Sequence, residues 1–323
     1  MRKTPSIFVL AFTLLFLQAN ALLACDFCLL SQGISPLETI RGAGVRITER
    51  YTRLDTVYNG TKKAVNPGAK EEFWTTELTG FYGLTEDLTI IGVAPLKKTM
   101  MKGELIVNPD GSTSRDPVSG DESGIGDIAL IGRYTFFKAH TLDTTSTAAA
   151  LLGIKLPTGK TNGRVDGGAE FLDSHLQLGT GGTDYIAGLS FSRAMGKASF
   201  STNLLGALNS EGKAGDTRHR FGNALNYDLT AKYRIQPSTT GQGGPQIFIA
   251  LGVNGELRER EKTNGVEDPN SGGHTAYISP GVQMVFAPSL VFELSYQKAM
   301  YHNLYGAQLG EDYKAVGGVT YLF

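Results

Sequence analysis

The chain's only cysteines stand three apart, in Cys25-Asp26-Phe27-Cys28. Such a pair can close as a small disulfide, act as a redox couple, or give two ligands to a metal. Four ligands are usual for a structural metal, and the chain has no second pair. Haem attachment would need a histidine where Leu29 stands. Leu22-Leu23-Ala24 ahead of Cys25 also fits a lipobox, so a disulfide and lipidation both remain open. The five histidines, His140, His175, His219, His274 and His302, show no HxH or HxxxH spacing. A metal site or catalytic triad would need them to converge from distant segments, and they read as scattered loop residues. Gly179-Thr180-Gly181-Gly182 lacks the Lys-Ser/Thr and the helix of a phosphate loop, and reads as a turn before a strand. No catalytic, metal or cofactor-binding set emerges, and no cofactor is predicted.

The remaining chemistry is charge at regular intervals. Arg133, Lys155, Lys232, Arg234 and Arg258 stand against Asp127, Asp184, Asp228, Glu256 and Glu293. These fall on the polar positions of segments that alternate polar and apolar residues, as at Leu290, Phe292, Leu294 and Tyr296 against Glu293, Ser295 and Gln297. A period of two marks a strand with two different faces. The pattern recurs about twelve times over segments of roughly ten residues, the length of a tilted strand that spans a bilayer. The apolar faces carry tyrosine and phenylalanine near strand ends, as an aromatic girdle does. The polar faces carry many small residues, as a crowded lumen would.

The connections carry the argument further. Long gaps are expected near 55–70, 98–125, 158–183 and 259–273, and tight turns at Gly83-Leu84-Thr85-Glu86, Ala194-Met195-Gly196 and Ala287-Pro288. The last gap, near 302–311, reads as moderate. Long loops on one side and short turns on the other fit an outer-membrane barrel. Strands in lipid must close on themselves, because every backbone group there needs a partner. The predicted fold is all-β: one transmembrane antiparallel barrel of about twelve strands, with the ten charges above facing its lumen. The final strand places Val319, Tyr321 and Phe323 on one face, an expected assembly signal.

The first residues are a targeting signal. Met1-Arg2-Lys3 is positive and residues 7–17 form an apolar run, too short for a spanning helix. Cleavage is expected after 21 or 24. Residues 1–21 are then the signal peptide, 22–43 a periplasmic segment bearing the CxxC, and 44–323 the barrel. Export would place the cysteines in an oxidising compartment, which favours the disulfide. Lys+Arg 30 against Asp+Glu 31 leaves a net charge of -1, with no basic footprint for nucleic acid. Glycine, at 41 residues, is enriched without a collagen period.

Three segments carry a family resemblance: Gly124-Ile125-Gly126-Asp127, Gly153-Ile154-Lys155-Leu156-Pro157-Thr158-Gly159, and Leu178-Gly179-Thr180-Gly181-Gly182-Thr183-Asp184-Tyr185. In this order, with the aromatic last strand, the chain from about residue 40 to 323 resembles the transporter family named after the meta-pathway of phenol degradation. The resemblance implies an outer-membrane channel for small solutes, hydrophobic or aromatic compounds among them, rather than an enzyme. It implies outer-membrane lipid, lipopolysaccharide and the barrel assembly machinery as partners. Two other classes stay open: a barrel hydrolase, which would need a histidine beside a serine, and an adhesive barrel that passes nothing.

Overall fold

The computed structural model describes residues 42–237, 244–287 and 289–323. The signal peptide and Cys25 and Cys28 lie outside the described residues. Twelve strands close into one antiparallel barrel: β1 (Ala43–Leu54), β2 (Lys70–Gly83), β3 (Leu88–Val107), β4 (Ile128–His140), β5 (Thr144–Leu156), β6 (Asp184–Met195), β7 (Ala198–Leu208), β8 (Ala224–Gln236), β9 (Gln246–Arg258), β10 (Gly273–Ala287), β11 (Leu290–Gly310) and β12 (Tyr313–Leu322). Each strand pairs with the next in sequence. β12 closes on β1 over ten residue pairs, from Gly44↔Leu322 to Arg53↔Tyr313.

The alternation read from the sequence sorts the side chains. On β1, Val45 and Ile47 point out while Arg46, Thr48 and Arg50 are buried inside. Leu130, Leu152, Leu189, Leu251 and Leu294 are each more than half exposed on the outer face. So continuous an apolar exterior is out of place in water and suited to hydrocarbon. Aromatic residues flank it. Tyr82, Tyr134, Phe136, Tyr233 and Phe286 sit towards one rim, and Trp74, Tyr185 and Tyr296 towards the other. Val319, Tyr321 and Phe323 are outward and exposed, with Tyr321 and Phe323 in edge contact.

Short connections at 84–87, 141–143 and 196–197 lie at the rim where β1 begins, which marks the periplasmic side. The opposite rim carries the large structures, and there two expectations need correction. The gap near 98–125 is not a loop: β3 continues to Val107, and a strand at Thr113–Ile125 returns along it. The gap near 302–311 is not a loop either. β11 runs to Gly310 and supports a short hairpin strand at Thr56–Gly60, leaving two residues before β12. Above the membrane the pressure for one apolar face ends, so these extensions lose the period-two pattern. A small separate sheet, Gly212–Ala214, Thr217–Arg220, Lys262–Thr263 and Val266–Glu267, ties two outer loops together.

Candidate functional site: the lumen and its outer mouth

The lumen has two unlike walls. Across β2 to β7 its middle is apolar: Phe81, Ile91, Val93, Ala129, Ile131, Leu151, Ile186 and Leu205 form one buried cluster. Several follow a single hydrogen-bonded row from strand to strand, Phe81↔Ile91↔Ile131↔Gly153↔Ile186. Across β8 to β12 and β1 most inward side chains are polar: Asn226, Asp228, Thr230, Glu256, Arg258, Gln283, Glu293, Gln297, Lys314, Thr320, Arg46 and Arg50 are all buried, with Tyr277, Val291 and Val316 among them. Arg46 Nη2 meets Glu293 Oε2 at 2.7 Å, and Gln283 donates to the other carboxylate oxygen at 3.0 Å. Arg46 and Glu293 lie on β1 and β11, with β12 between them. Gly318 on β12 faces the pair, and a Cβ there would stand in ordinary contact with it, 3.4 Å from Glu293 Oε2. Asn203 reaches Asp228 at 2.9 Å, and Asn254 reaches Gln297 at 3.2 Å.

The ten charges expected in the lumen are all placed on inward faces, but they do different things. Lys232 and Arg234 are half-buried on the periplasmic half of β8. Arg133 is buried and donates to Thr135 at 3.0 Å, on the periplasmic side of the apolar cluster. Asp228, Glu256 and Glu293 belong to the polar wall.

Asp127, Lys155 and Asp184 form a rivet at the outer rim. Lys155 Nζ lies 2.8 Å from Asp184 and 3.8 Å from Asp127. Asp127 accepts from the backbone N–H of Gly159 and from both N–H and hydroxyl of Thr180, at 2.8 to 3.0 Å. Asp184 accepts from Ser210 N–H at 2.8 Å, and its Oδ2 shares the one Thr180 hydroxyl proton with Asp127, 3.0 Å from Thr180 Oγ1. The three glycine-rich motifs therefore meet in space. Gly159 and Gly179 touch backbone to backbone, and a Cβ on Gly179 would lie 2.5 Å from Asp127 Oδ1 and 2.7 Å from Gly159 O. The rivet fastens both ends of the 157–183 loop to the rims of β4, β5 and β6.

Held there, that loop packs on the outer part of β3. Leu172 and Leu176 bury against Met101, with Phe73, Val118 and Val165 around them, and Thr99 donates to the Leu176 carbonyl at 2.6 Å. A cavity of about 450 Å³ opens beneath it, lined by Arg50, Phe73, Lys97, Met101, His175 and Tyr277 among others.

At its edge, segments far apart in sequence converge on one buried carboxylate. Glu261 accepts from His175 Nε2 at 2.9 Å, His219 Nε2 at 3.1 Å and Arg258 Nη1 at 3.2 Å. The other ring nitrogen of His175 meets Asp173 at 2.8 Å, and that of His219 meets Thr263 Oγ1 at 3.2 Å. Two of the five histidines are thus gathered, against the expectation of scattered residues. Spacing could not show this, because three loops must fold first. Burial works against the ionised form of Glu261, yet His175, His219 and Arg258 hold it well below the usual carboxylate range. Burial likewise opposes charge on His175, but Glu261 and Asp173 outweigh it and raise its pKa well above the histidine value. Among the described residues, no group of three or more His, Cys, Asp or Glu has the arrangement of a metal site.

Residues 51–303 match the family described as "Putative MetA-pathway of phenol degradation". The chain belongs to this family. No curated protein sequence matches it. Among solved structures, an outer membrane channel from Pseudomonas putida F1 superposes with a TM-score of 0.64 at 16% identity, covering 90% of this chain and all of that one. The CymD monoaromatic hydrocarbon channel is similar with a TM-score of 0.41 at 13% identity, covering 89% and 90%. The Pseudomonas putida toluene transporter TodX gives 0.40 at 9%, covering 94% and 95%. At these identities the likeness is one of fold. In this member of the phenol-degradation family, the closed barrel, lipid-suited exterior and asymmetric rims are those of an outer-membrane protein. The sequence reading missed its apolar lumen wall, along with Arg46, Arg50, Glu77 and Lys97, which are buried inside β1, β2 and β3.

Proposed function

We propose that this barrel is a channel for small solutes across the outer membrane, with hydrophobic or aromatic compounds among its cargo, and that it performs no catalysis. The observation that carries the reading is the 450 Å³ cavity in the outer half of the barrel: Phe73, Met101 and Leu105 give it an apolar side, which suits solutes with a nonpolar face, across from Glu256, Arg258 and Lys314. Polar groups on the opposite wall keep water and a solute's hydroxyl or carboxylate accommodated. The histidines favour this over a hydrolase. Both ring nitrogens of His175 and of His219 are engaged, by acids and a threonine, and His274 meets the Tyr227 hydroxyl at 2.9 Å. None of these is set as a base for a serine. The proposed partners are the surrounding lipid and lipopolysaccharide, and the assembly machinery that inserts barrels.

The test is osmotic swelling of liposomes that contain the purified full chain, with arabinose and with sodium benzoate at pH 8. Both should enter, benzoate faster for its size. Swelling with neither solute, together with silent planar bilayers, would sink the channel reading.

A further inference from the structure

We propose that Glu261, with His175 and His219, is a proton-sensitive latch that holds the outer loops closed over the 450 Å³ cavity. The three residues come from three different outer connections: 157–183, 209–223 and 259–272. Each loop has its own anchor elsewhere. The rivet holds the ends of the first, and hairpin pairing ties the second to the third. Contact with the Glu261 carboxylate joins the His175 turn of the first loop to the other two, beside a backbone bond from Gly215 N–H to the Thr161 carbonyl at 2.6 Å. His175 sits on a single 3-10 turn, Ser174–Leu176, that forms part of the cavity lining. The turn is also held by Thr99 at the Leu176 carbonyl and by Leu176 against Met101, so losing the carboxylate contact loosens its His175 side over the cavity and leaves the barrel ladder intact.

The latch combines strength with reversibility. Glu261 has 3% of its side-chain surface exposed and His219 5%, whereas His175 has 41%. The carboxylate is therefore fixed, and the partner on the 3-10 turn is the one that solvent protons can reach. Phe221 lies edge-on to both imidazoles, with ring centroids 5.9 Å from His175 and 4.6 Å from His219. It shields the inner side of the contacts. The charged groups that face His175 are Asp173 on its own turn, Glu261 from the facing loop and Glu71 from β2. Those that face Glu261 are Arg258, Asp173 and the two histidines, with Glu256 behind Arg258. Carboxylates surround His175, and among the described residues no cation stands directly against it, so its protonated form is the one the site holds.

The direction with pH follows. The raised pKa of His175 means that its charged contact is complete at and below neutral pH and is lost as pH rises through that raised value. Glu261 stays ionised well into acid. The latch is thus closed below that raised value and weakens as pH climbs past it.

The test uses the full chain with Cys25→Ser and Cys28→Ser, and Thr52→Cys as a reporter inside the cavity. The rate of labelling by a small thiol reagent is compared with and without Glu261→Gln. At pH 7 the Gln variant should label about tenfold faster, the order expected for losing one charged hydrogen bond. The ratio of the two rates cancels the thiol's own titration, and it should fall towards one as pH rises. Equal rates at pH 7, or a ratio that stays constant with pH, overturn the latch. His175→Gln in the same background should match Glu261→Gln, and failure to do so would also overturn it. Labelling does not depend on transport: a changed rate with no conductance in either form would count against the channel reading and leave the latch standing.

Discussion

The two walls of the lumen are built from one backbone pattern and differ in what they ask of a substitution. In the middle of β2 to β7 the inward residues are apolar, meet each other across strands, and need only volume and shape. Between β8 and β1 most are charged, amide or hydroxyl side chains, and several depend on a particular partner, as Arg46 depends on Glu293. A barrel interior can therefore be specified by packing on one side and by polar pairing on the other. Single changes should expose the difference.

The largest contrast comes from adding one negative charge to each wall. Ile131 is fully buried in the apolar cluster, where a carboxylate would stand among Ile91, Leu151 and Ile186 and must either stay desolvated or take up a proton. Ile131→Asp should abolish the folded, heat-modifiable species on gels. Gln297 is as deeply buried, but on the polar wall, directly across the ladder from Lys314. Gln297→Glu should leave the heat-modifiable band intact. Equal loss in both variants would erase the distinction between the walls.

A smaller effect tests pairing itself. Glu293→Ala leaves the Arg46 guanidinium buried without its carboxylate, at a cost of roughly 3 kcal/mol in unfolding free energy. The double variant Arg46→Met/Glu293→Leu should recover most of that loss, since removing both charges also removes their desolvation cost. Denaturant midpoints in lipid vesicles would measure it. If the double variant is as unstable as Glu293→Ala, the polar wall is held by something other than this pair.

Smaller again is the outer rivet. A methyl at position 179 would crowd the Asp127 carboxylate and the Gly159 backbone, costing about 1–3 kcal/mol locally. Gly179→Ala should speed proteolysis within 157–183 without shifting the unfolding midpoint of the barrel. An unchanged cleavage rate would show that the loop does not rely on this contact.

The sequence showed the barrel because lipid imposes an apolar outer face, and wherever the inner face is polar the alternation is visible. β11 and β12 are clear for that reason. It hid the apolar wall by the same rule: at Leu130-Ile131 and at Leu151-Leu152 both neighbours are apolar, so the period vanishes and the inward member is lost among outward ones. Asp127, Lys155 and Asp184 were readable as inward charges. Their joint task was not, since it depends on Gly159 and Gly179 meeting across the loop. The convergence on Glu261 needs three folded connections, and no local pattern encodes it.

The smallest expected effect bears directly on transport. Leu205 points inward from β7 as part of the apolar cluster, and its neighbour Leu204 points to lipid with 38% of its surface exposed. Both changes to asparagine remove the same apolar bulk, so their difference isolates the face. If solutes slide along the apolar wall, Leu205→Asn weakens their passage by about the worth of one buried methylene, ~0.8 kcal/mol, or roughly fourfold. The benzoate-to-arabinose ratio of swelling rates should fall by that factor in Leu205→Asn and stay unchanged in Leu204→Asn. The lipid-facing change should instead lower the unfolding midpoint, because an amide then faces hydrocarbon. A ratio that falls equally in both would mean that the barrel was merely loosened. A ratio that falls in neither would mean that solutes pass along the polar wall, with the apolar strip serving only to pack the barrel.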